Sequence, residues 1–126
     1  MARAERFEEL HCWKKSCELV RAVYRISEKG KVSRDYDFKS QLRRAAISSM
    51  NNIAEGFSRY GEKEFARFLT ISSSSVSEVK SMLYLLEDLE YASNEDLKQL
   101  HQITDETKRL TVALLKHLVN RNNANR

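Results

Sequence analysis

The sequence predicts an all-α protein, folded as an antiparallel, up-down-up-down bundle of four helices. Three observations carry this. The 126 residues include no proline and three glycines, and the many turns of a sheet protein draw heavily on those residues. Apolar residues return every three or four positions along four long segments, which is the helical period. The breaks between the segments are short and polar, so consecutive helices fold back on one another.

The first helix spans about residues 8–28. Leu10, Trp13, Cys17, Val20 and Tyr24 recur at spacings of 3, 4, 3 and 4 and are assigned to the core, with Leu19, Val23 and Ile26 as a second stripe beside them. The segment stops near Glu28-Lys29-Gly30-Lys31. The second helix, about 34–57, starts at Ser33 or Asp35, either of which can cap it. Its core stripe is Phe38, Leu42, Ala45, Ser49, Asn52 or Ile53, and Gly56, while Arg43, Ile47, Met50 and Ala54 lie on another face. Gly56 reads as the glycine that ends this helix.

Tyr60-Gly61 make the next turn. In the third helix, about 62–90, Phe65, Leu69, Ser72, Val76, Val79, Leu83 and Leu86 keep a heptad spacing suited to knobs-into-holes packing. The heptad continues through the serines from Ser72 to Ser75, which therefore read as close helix contact rather than as a linker. Ser93-Asn94, followed by Glu95 and Asp96, open the fourth helix, about 95–120, with a cap and first-turn acids that suit the helix dipole. Its stripe is Leu97, Leu100, Ile103, Thr107, Leu110, Leu114 and Leu118. Residues 121–126 read as a flexible polar tail.

With 41% apolar and 32% charged residues, residues 1–126 read as one globular domain. Cys12 and Cys17 point to different sides of one helix, which disfavours a disulfide and fits a reduced, cytoplasmic setting. The charged N-terminus leads into no apolar run, so no signal peptide is expected. No stretch reaches the ~20 apolar residues that cross a bilayer, so no membrane association is expected. Net charge is +4 and unevenly placed: residues 1–67 hold 15 Lys/Arg against 10 Asp/Glu, and residues 68–126 hold 7 against 8. That polarity would draw an anionic partner such as nucleic acid to the first half; a merely solvated basic surface fits the charge equally well.

Gln41-Leu42-Arg43-Arg44-Ala45-Ala46, Ser48, then Asn52-Ile53-Ala54-Glu55-Gly56 and Arg59, form the most specific pattern in the chain. Leu10–Trp13, the Glu64–Leu69 run, Ser74–Glu78 and Leu83 accompany it. Together they resemble the four-helix-bundle proteins encoded in intervening sequences of bacterial 23S ribosomal RNA genes. The resemblance covers about residues 7–118. It implies assembly as a homopentameric ring and a likeness to the accessory variability determinant of diversity-generating retroelements, which binds a reverse transcriptase and nucleic acid through a basic surface. One departure is visible. The family commonly carries Ile-Pro where this chain has Ser49-Met50. Met50 keeps the backbone donor that proline lacks and permits a straight helix.

The candidate nucleic-acid contacts are Lys14, Lys15, Arg21, Arg25, Lys29, Lys31 and Arg34, with Lys39 in the same series and Arg43 and Arg44 from the motif. Neutralised phosphates would make such binding salt-dependent. Arg43 and Arg44 are about 100° apart on their helix. Arg44 shares a face with Ser48, Asn51 and Glu55, and this polar stripe reads either as a contact to phosphate or a neighbouring subunit or as a structural pairing of Arg44 with Glu55 or another acid across helices. Asn52, Glu55, Gly56 and Arg59 are read as motif residues that hold the structure, with Asn52 as a buried hydrogen-bonding residue that fixes register. The second stripes, Leu19, Val23 and Ile26 with Ile47, Met50 and Ala54, exceed the needs of one small bundle and are assigned to an oligomer interface.

No nucleophile, metal set or phosphate loop appears, so no catalytic residue, cofactor, metal or small-molecule substrate is expected. His11, Cys12 and Cys17 fit no zinc spacing, and Cys17 reads as a core thiol. No aromatic platform for stacking bases is evident. The sequence thus points to a non-enzymatic, oligomeric bundle that binds RNA or DNA electrostatically through a basic face. The alternative is a structural adaptor for a partner protein such as a reverse transcriptase.

Overall fold

The computed structural model describes residues 4–124. The readings of Met1-Ala2-Arg3 as the start of a leaderless N-terminus and of Asn125-Arg126 as tail lie outside them. Among the described residues the regular structure is helical throughout. A 3-10 turn at Phe7–Glu9 precedes α1 (His11–Ser27), and another at Val32–Arg34 precedes α2 (Tyr36–Phe57); α3 (Glu62–Asp88) and α4 (Asn94–Ala124) follow.

Local chemistry sets most of these limits. Asp35 caps α2, its carboxylate accepting the Phe38 N–H at 3.2 Å, and Ser93 Oγ accepts the Asp96 N–H at 3.1 Å at the start of α4. The chain ahead of α1 is wound more tightly, so that helix begins later than its apolar period indicates. α3 stops at Asp88 because Glu90 takes φ +55° and the Tyr91 N–H bonds back to the Leu86 carbonyl at 2.9 Å, a closure usually built with glycine. Residues 121–124, expected in the tail, continue α4. Arg121 pairs with Glu62 at 3.0 Å and holds the last turns against α3.

Gly56 does not end α2. It lies within the last turn, where a Cβ would meet Phe68 Cβ at 2.6 Å and Phe65 Cδ1 at 3.0 Å. The position keeps two helices close; the turn itself is made by Gly61, with φ +84°. α2 runs unbroken through Met50.

α1 packs on α2, α2 on α3, α3 on α4, and α4 on α1. Side-chain contacts tie three of these pairs. Lys15 meets Glu106 and Lys29 meets Asp96; Ser75 meets Ser48 and Ser72 meets Ser49; Lys80 meets Asp105 and Glu62 meets Arg121.

The interior has two apolar clusters and a hydroxyl-rich waist between them. One cluster gathers Leu19, Val23, Ile26, Phe38, Leu42, Val79, Leu83, Leu86, Leu97 and Leu100 among its members. The other gathers Cys12, Ile53, Leu69 and Leu118. Between them Ser16, Ser49, Ser72, Thr104, Thr107 and Thr111 are buried. Most of these hydroxyls donate to a carbonyl one turn back in their own helix, as Ser16 does to Trp13 and Thr107 to Ile103. Ser72 is different, donating across to the Ser49 carbonyl at 2.6 Å. The serine run of α3 is therefore packed helix, and no buried side-chain polar atom among the described residues lacks a partner.

The two stripes of α1 exchange places relative to the sequence reading. Leu19, Val23 and Ile26, assigned to an oligomer interface, lie inside the chain's own core at 0%, 0% and 4% exposure. Buried in their own subunit, they have no surface to offer another. Leu10, Trp13, Cys17, Val20 and Tyr24, assigned to the core, are half-buried. The core thiol is Cys12, not Cys17. Burial pushes the Cys12 thiol up to about 11.

Candidate nucleic-acid interface

On α1 the residues facing away from the core include Lys14, Arg21 and Arg25. At about 100° per residue they fall within a sector of about 40° and span about 16 Å of helix. All three are exposed, and none takes part in an ion pair among the described residues. Glu18 interrupts the strip but is already engaged, accepting from Lys15 at 2.8 Å. Lys31 and Arg34, on the loop that follows α1, are likewise exposed and unpaired. Arg44 is exposed on α2.

The structure removes three cations from this set. Lys15 bridges Glu18 at 2.8 Å and Glu106 at 3.0 Å; those two hydrogen bonds hold its ammonium above the ordinary lysine value. Lys29 pairs with Asp96 at 3.2 Å. Arg43 lies over the Tyr24 ring, 4.1 Å from its centroid, and donates to Ser27 Oγ at 2.8 Å. These side chains join α1 to α4 and to α2, a structural use of charge.

The motif residues divide in the same way. Glu55 pairs with Arg59 at 2.6 Å, the next turn of its own helix, and not with Arg44. Arg59 and Arg67 both lie over the Phe68 ring, at 5.2 and 4.7 Å from its centroid. Asn52 is half-buried and donates to Ser48 Oγ at 3.0 Å; Ser48 in turn bonds Ser75 of α3 at 2.7 Å. Register between α2 and α3 passes through this chain of small polar groups.

Ile47, Met50 and Ala54 are half-buried on α2, beside the half-buried Cys17 and Tyr24 of α1. Cys17 Sγ lies 3.5 Å from Met50 Sδ. The outer seam between these helices is thus apolar, with the cationic strip of α1 along its edge.

The sequence reading missed an aromatic beside the basic loop, at the start of α2. Tyr36 is 72% exposed, and Lys39 Nζ stands 5.0 Å from its ring centroid. It borders a shallow hollow of about 620 Å³, lined by Lys31, Arg34, Asp35, Asp37 and Tyr91 as well. A signal was present: Tyr36 falls directly after the capping Asp35 and outside the Phe38-Leu42-Ala45 stripe. Elsewhere, His101 Nδ1 lies 2.7 Å from Lys80 Nζ, and burial, then the lysine charge, push the imidazole down. Among the described residues no three His, Cys, Asp or Glu side chains gather as a metal site, and no helix is long and apolar enough to cross a membrane.

Fold and surface together define a small all-α, four-helix protein with a strip of unpaired cations. Residues 8–113 match the 23S rRNA-intervening sequence proteins, and the chain belongs to that family. It is also similar to a solved crystal structure, a protein of unknown function from the S23 ribosomal protein family of Bacteroides thetaiotaomicron VPI-5482. The TM-score is 0.76 at 24% identity, over 83% of this chain and 95% of that one; at that identity the likeness concerns fold. No curated protein matches the sequence.

Proposed function

We propose that the protein is a non-enzymatic, up-down-up-down bundle that assembles as a homopentamer and binds RNA or DNA through its basic face. The observation that carries the reading is the strip of Lys14, Arg21 and Arg25, exposed and unpaired among the described residues, together with the exposed Lys31 and Arg34 of the loop that follows. Cations without internal partners are free to replace the counterions of a phosphate backbone, and such contacts are largely independent of sequence. Lys15, Lys29 and Arg43 hold the bundle instead. Ile47, Met50 and Ala54, with Cys17 and Tyr24 beside them, supply the contact between subunits. The family membership supports a ribonucleic acid setting.

Light scattering coupled to size exclusion, at low and high salt and with or without a structured RNA, tests the reading. The expected result is a pentamer-sized particle that shifts with RNA at low salt and not at high salt. Replacing Lys14, Arg21, Arg25, Lys31 and Arg34 with Gln is expected to abolish the shift while leaving the particle intact. A pentamer indifferent to RNA overturns the nucleic-acid reading in favour of an adaptor for a partner such as a reverse transcriptase, and a monomer overturns the assembly.

A further inference from the structure

The hollow at the start of α2 has a composition that the electrostatic strip does not explain. A surface built only to neutralise phosphates needs cations. This hollow combines two unpaired cations, Lys31 and Arg34, with two carboxylates, Asp35 and Asp37, and two tyrosines, Tyr36 and Tyr91.

Its floor is fixed. Asp35 accepts the Phe38 N–H through Oδ1 at 3.2 Å and the Tyr91 hydroxyl through Oδ2 at 3.0 Å. The Tyr91 ring meets the Phe38 ring edge-on at 6.1 Å, and Phe38 belongs to the larger apolar cluster. Lys39 donates to the Ser33 carbonyl at 3.2 Å, tying the loop to α2, and holds its ammonium over the Tyr36 ring. Tyr36 itself stays open to solvent. A ring with a cation on one face keeps the other face for a second π-system.

The mixed charge selects the partner. An acidic peptide would offer anions to the cations but neither donors for Asp35 and Asp37 nor a ring for Tyr36. A nucleotide answers all three parts: its phosphate suits Lys31 and Arg34, its base suits an open tyrosine ring, and the N–H donors on the base edge suit a carboxylate. A base within a duplex offers no free face, and in an RNA duplex the deep, narrow major groove keeps side chains from its N–H donors.

We propose that this hollow holds one unpaired nucleotide of a single-stranded nucleic acid, with the base stacked on Tyr36 and the phosphates against Lys31 and Arg34. The proposal rests on the electrostatic binding reading above and adds to it a preference for unpaired strands.

Fluorescence anisotropy with a labelled single-stranded RNA dodecamer, and with a duplex of the same sequence, tests it on the full chain at low salt. Tyr36→Ala is expected to weaken single-strand binding by roughly ten- to a hundred-fold, the scale of one lost base stack, and to leave duplex binding within about two-fold. Tyr36→Phe keeps the ring and is expected to retain single-strand affinity. Because Tyr36 is exposed, both variants are expected to fold, and circular dichroism checks this. Unchanged single-strand affinity in Tyr36→Ala, or an equal loss on both probes, overturns this inference and leaves the basic-face reading standing. Wild-type protein that binds neither probe overturns the basic-face reading itself, and this inference with it.

Discussion

The two ends of the bundle are packed differently. At the end closed by the loops after α1 and α3, Leu19, Val23, Leu42, Leu83 and Leu86 have no exposed surface, and Val32 and Tyr91 from the loops and Phe38 from the first turn of α2 cover them. At the other end, where α2 turns into α3, Cys12, Ile53, Leu69 and Leu118 are buried, while Leu10, Phe65, Leu110 and Leu114 remain half-buried around a cleft of about 1050 Å³. The hydroxyl waist separates the two, and its side chains mostly satisfy their own helices. Each end therefore rests on its own apolar contacts. The tyrosine hollow sits on the filled end, where a side chain is held in place by what lies beneath it.

The sharpest way to break this comparison is truncation at matched leucines. Leu83→Ala in the filled cluster is expected to cost about 3–4 kcal/mol, because the cavity left behind cannot collapse. Leu114→Ala, at the half-buried edge of the cleft, is expected to cost about 1 kcal/mol, since less surface is lost and water already reaches the site. Urea denaturation of both variants measures the difference. Equal losses would show that the two ends are equally well packed and would end the distinction.

The second effect concerns the seam between α2 and α3. Gly56→Val places a Cβ where Phe68 Cβ stands 2.6 Å away, and both atoms belong to stiff parts of packed helices. A loss of about 2–3 kcal/mol is expected, the usual scale of overpacking. Glycine acting merely as a helix stop would instead tolerate the change better than this, because Gly56 does not adopt a positive φ.

Much of this was legible in the sequence, and the exceptions have physical causes. The heptad of α3 names the residues that are buried, from Leu69 to Leu86, because α3 has one apolar face and two close neighbours to satisfy. α1 has two apolar faces. Periodicity finds both and cannot rank them; Trp13 and Tyr24 made the wrong one look larger, while Ser16, in the hydroxyl waist, interrupted the right one. Gly56 was legible as special, but one chain read alone does not separate a glycine kept for its φ from one kept for its missing Cβ. The cationic strip could be found from the spacing of Lys14, Arg21 and Arg25. Which other cations were already engaged could not, because Glu106 and Asp96 reach them from α4, about 70 to 90 residues away in the chain.

The third effect is a pH dependence set by the emptier end. Burial raises the Cys12 thiol from 9.0 to about 11. A raised value in the folded state means that the folded chain holds this proton where the unfolded chain releases it. The contribution is thus fully present below about 9 and is lost as pH rises from 9 through about 11. Two units correspond to roughly 2–3 kcal/mol as an upper scale. Cys12→Ala is expected to flatten the fall of the melting temperature across that window relative to wild type. An unchanged slope would mean that the cleft admits enough water to solvate the thiolate.

The smallest expected effect tests how α1 is held at the waist. Lys15 reaches both Glu18 on its own helix and Glu106 on α4, and its side chain is 25% exposed against 29% for Glu106. Ion pairs this open to water seldom contribute more than about 0.5–1 kcal/mol, since solvation competes for both charges and salt screens them. A double-mutant cycle on Lys15→Gln and Glu106→Gln is expected to return a coupling of about 0.5 kcal/mol that shrinks in high salt. A coupling near zero would leave α1 held to α4 by Leu19, Val23 and their apolar partners, with the Lys29–Asp96 pair just past its end. The cations of α1 thus divide into Lys15, which is engaged within the fold, and Lys14, Arg21 and Arg25, which stay exposed.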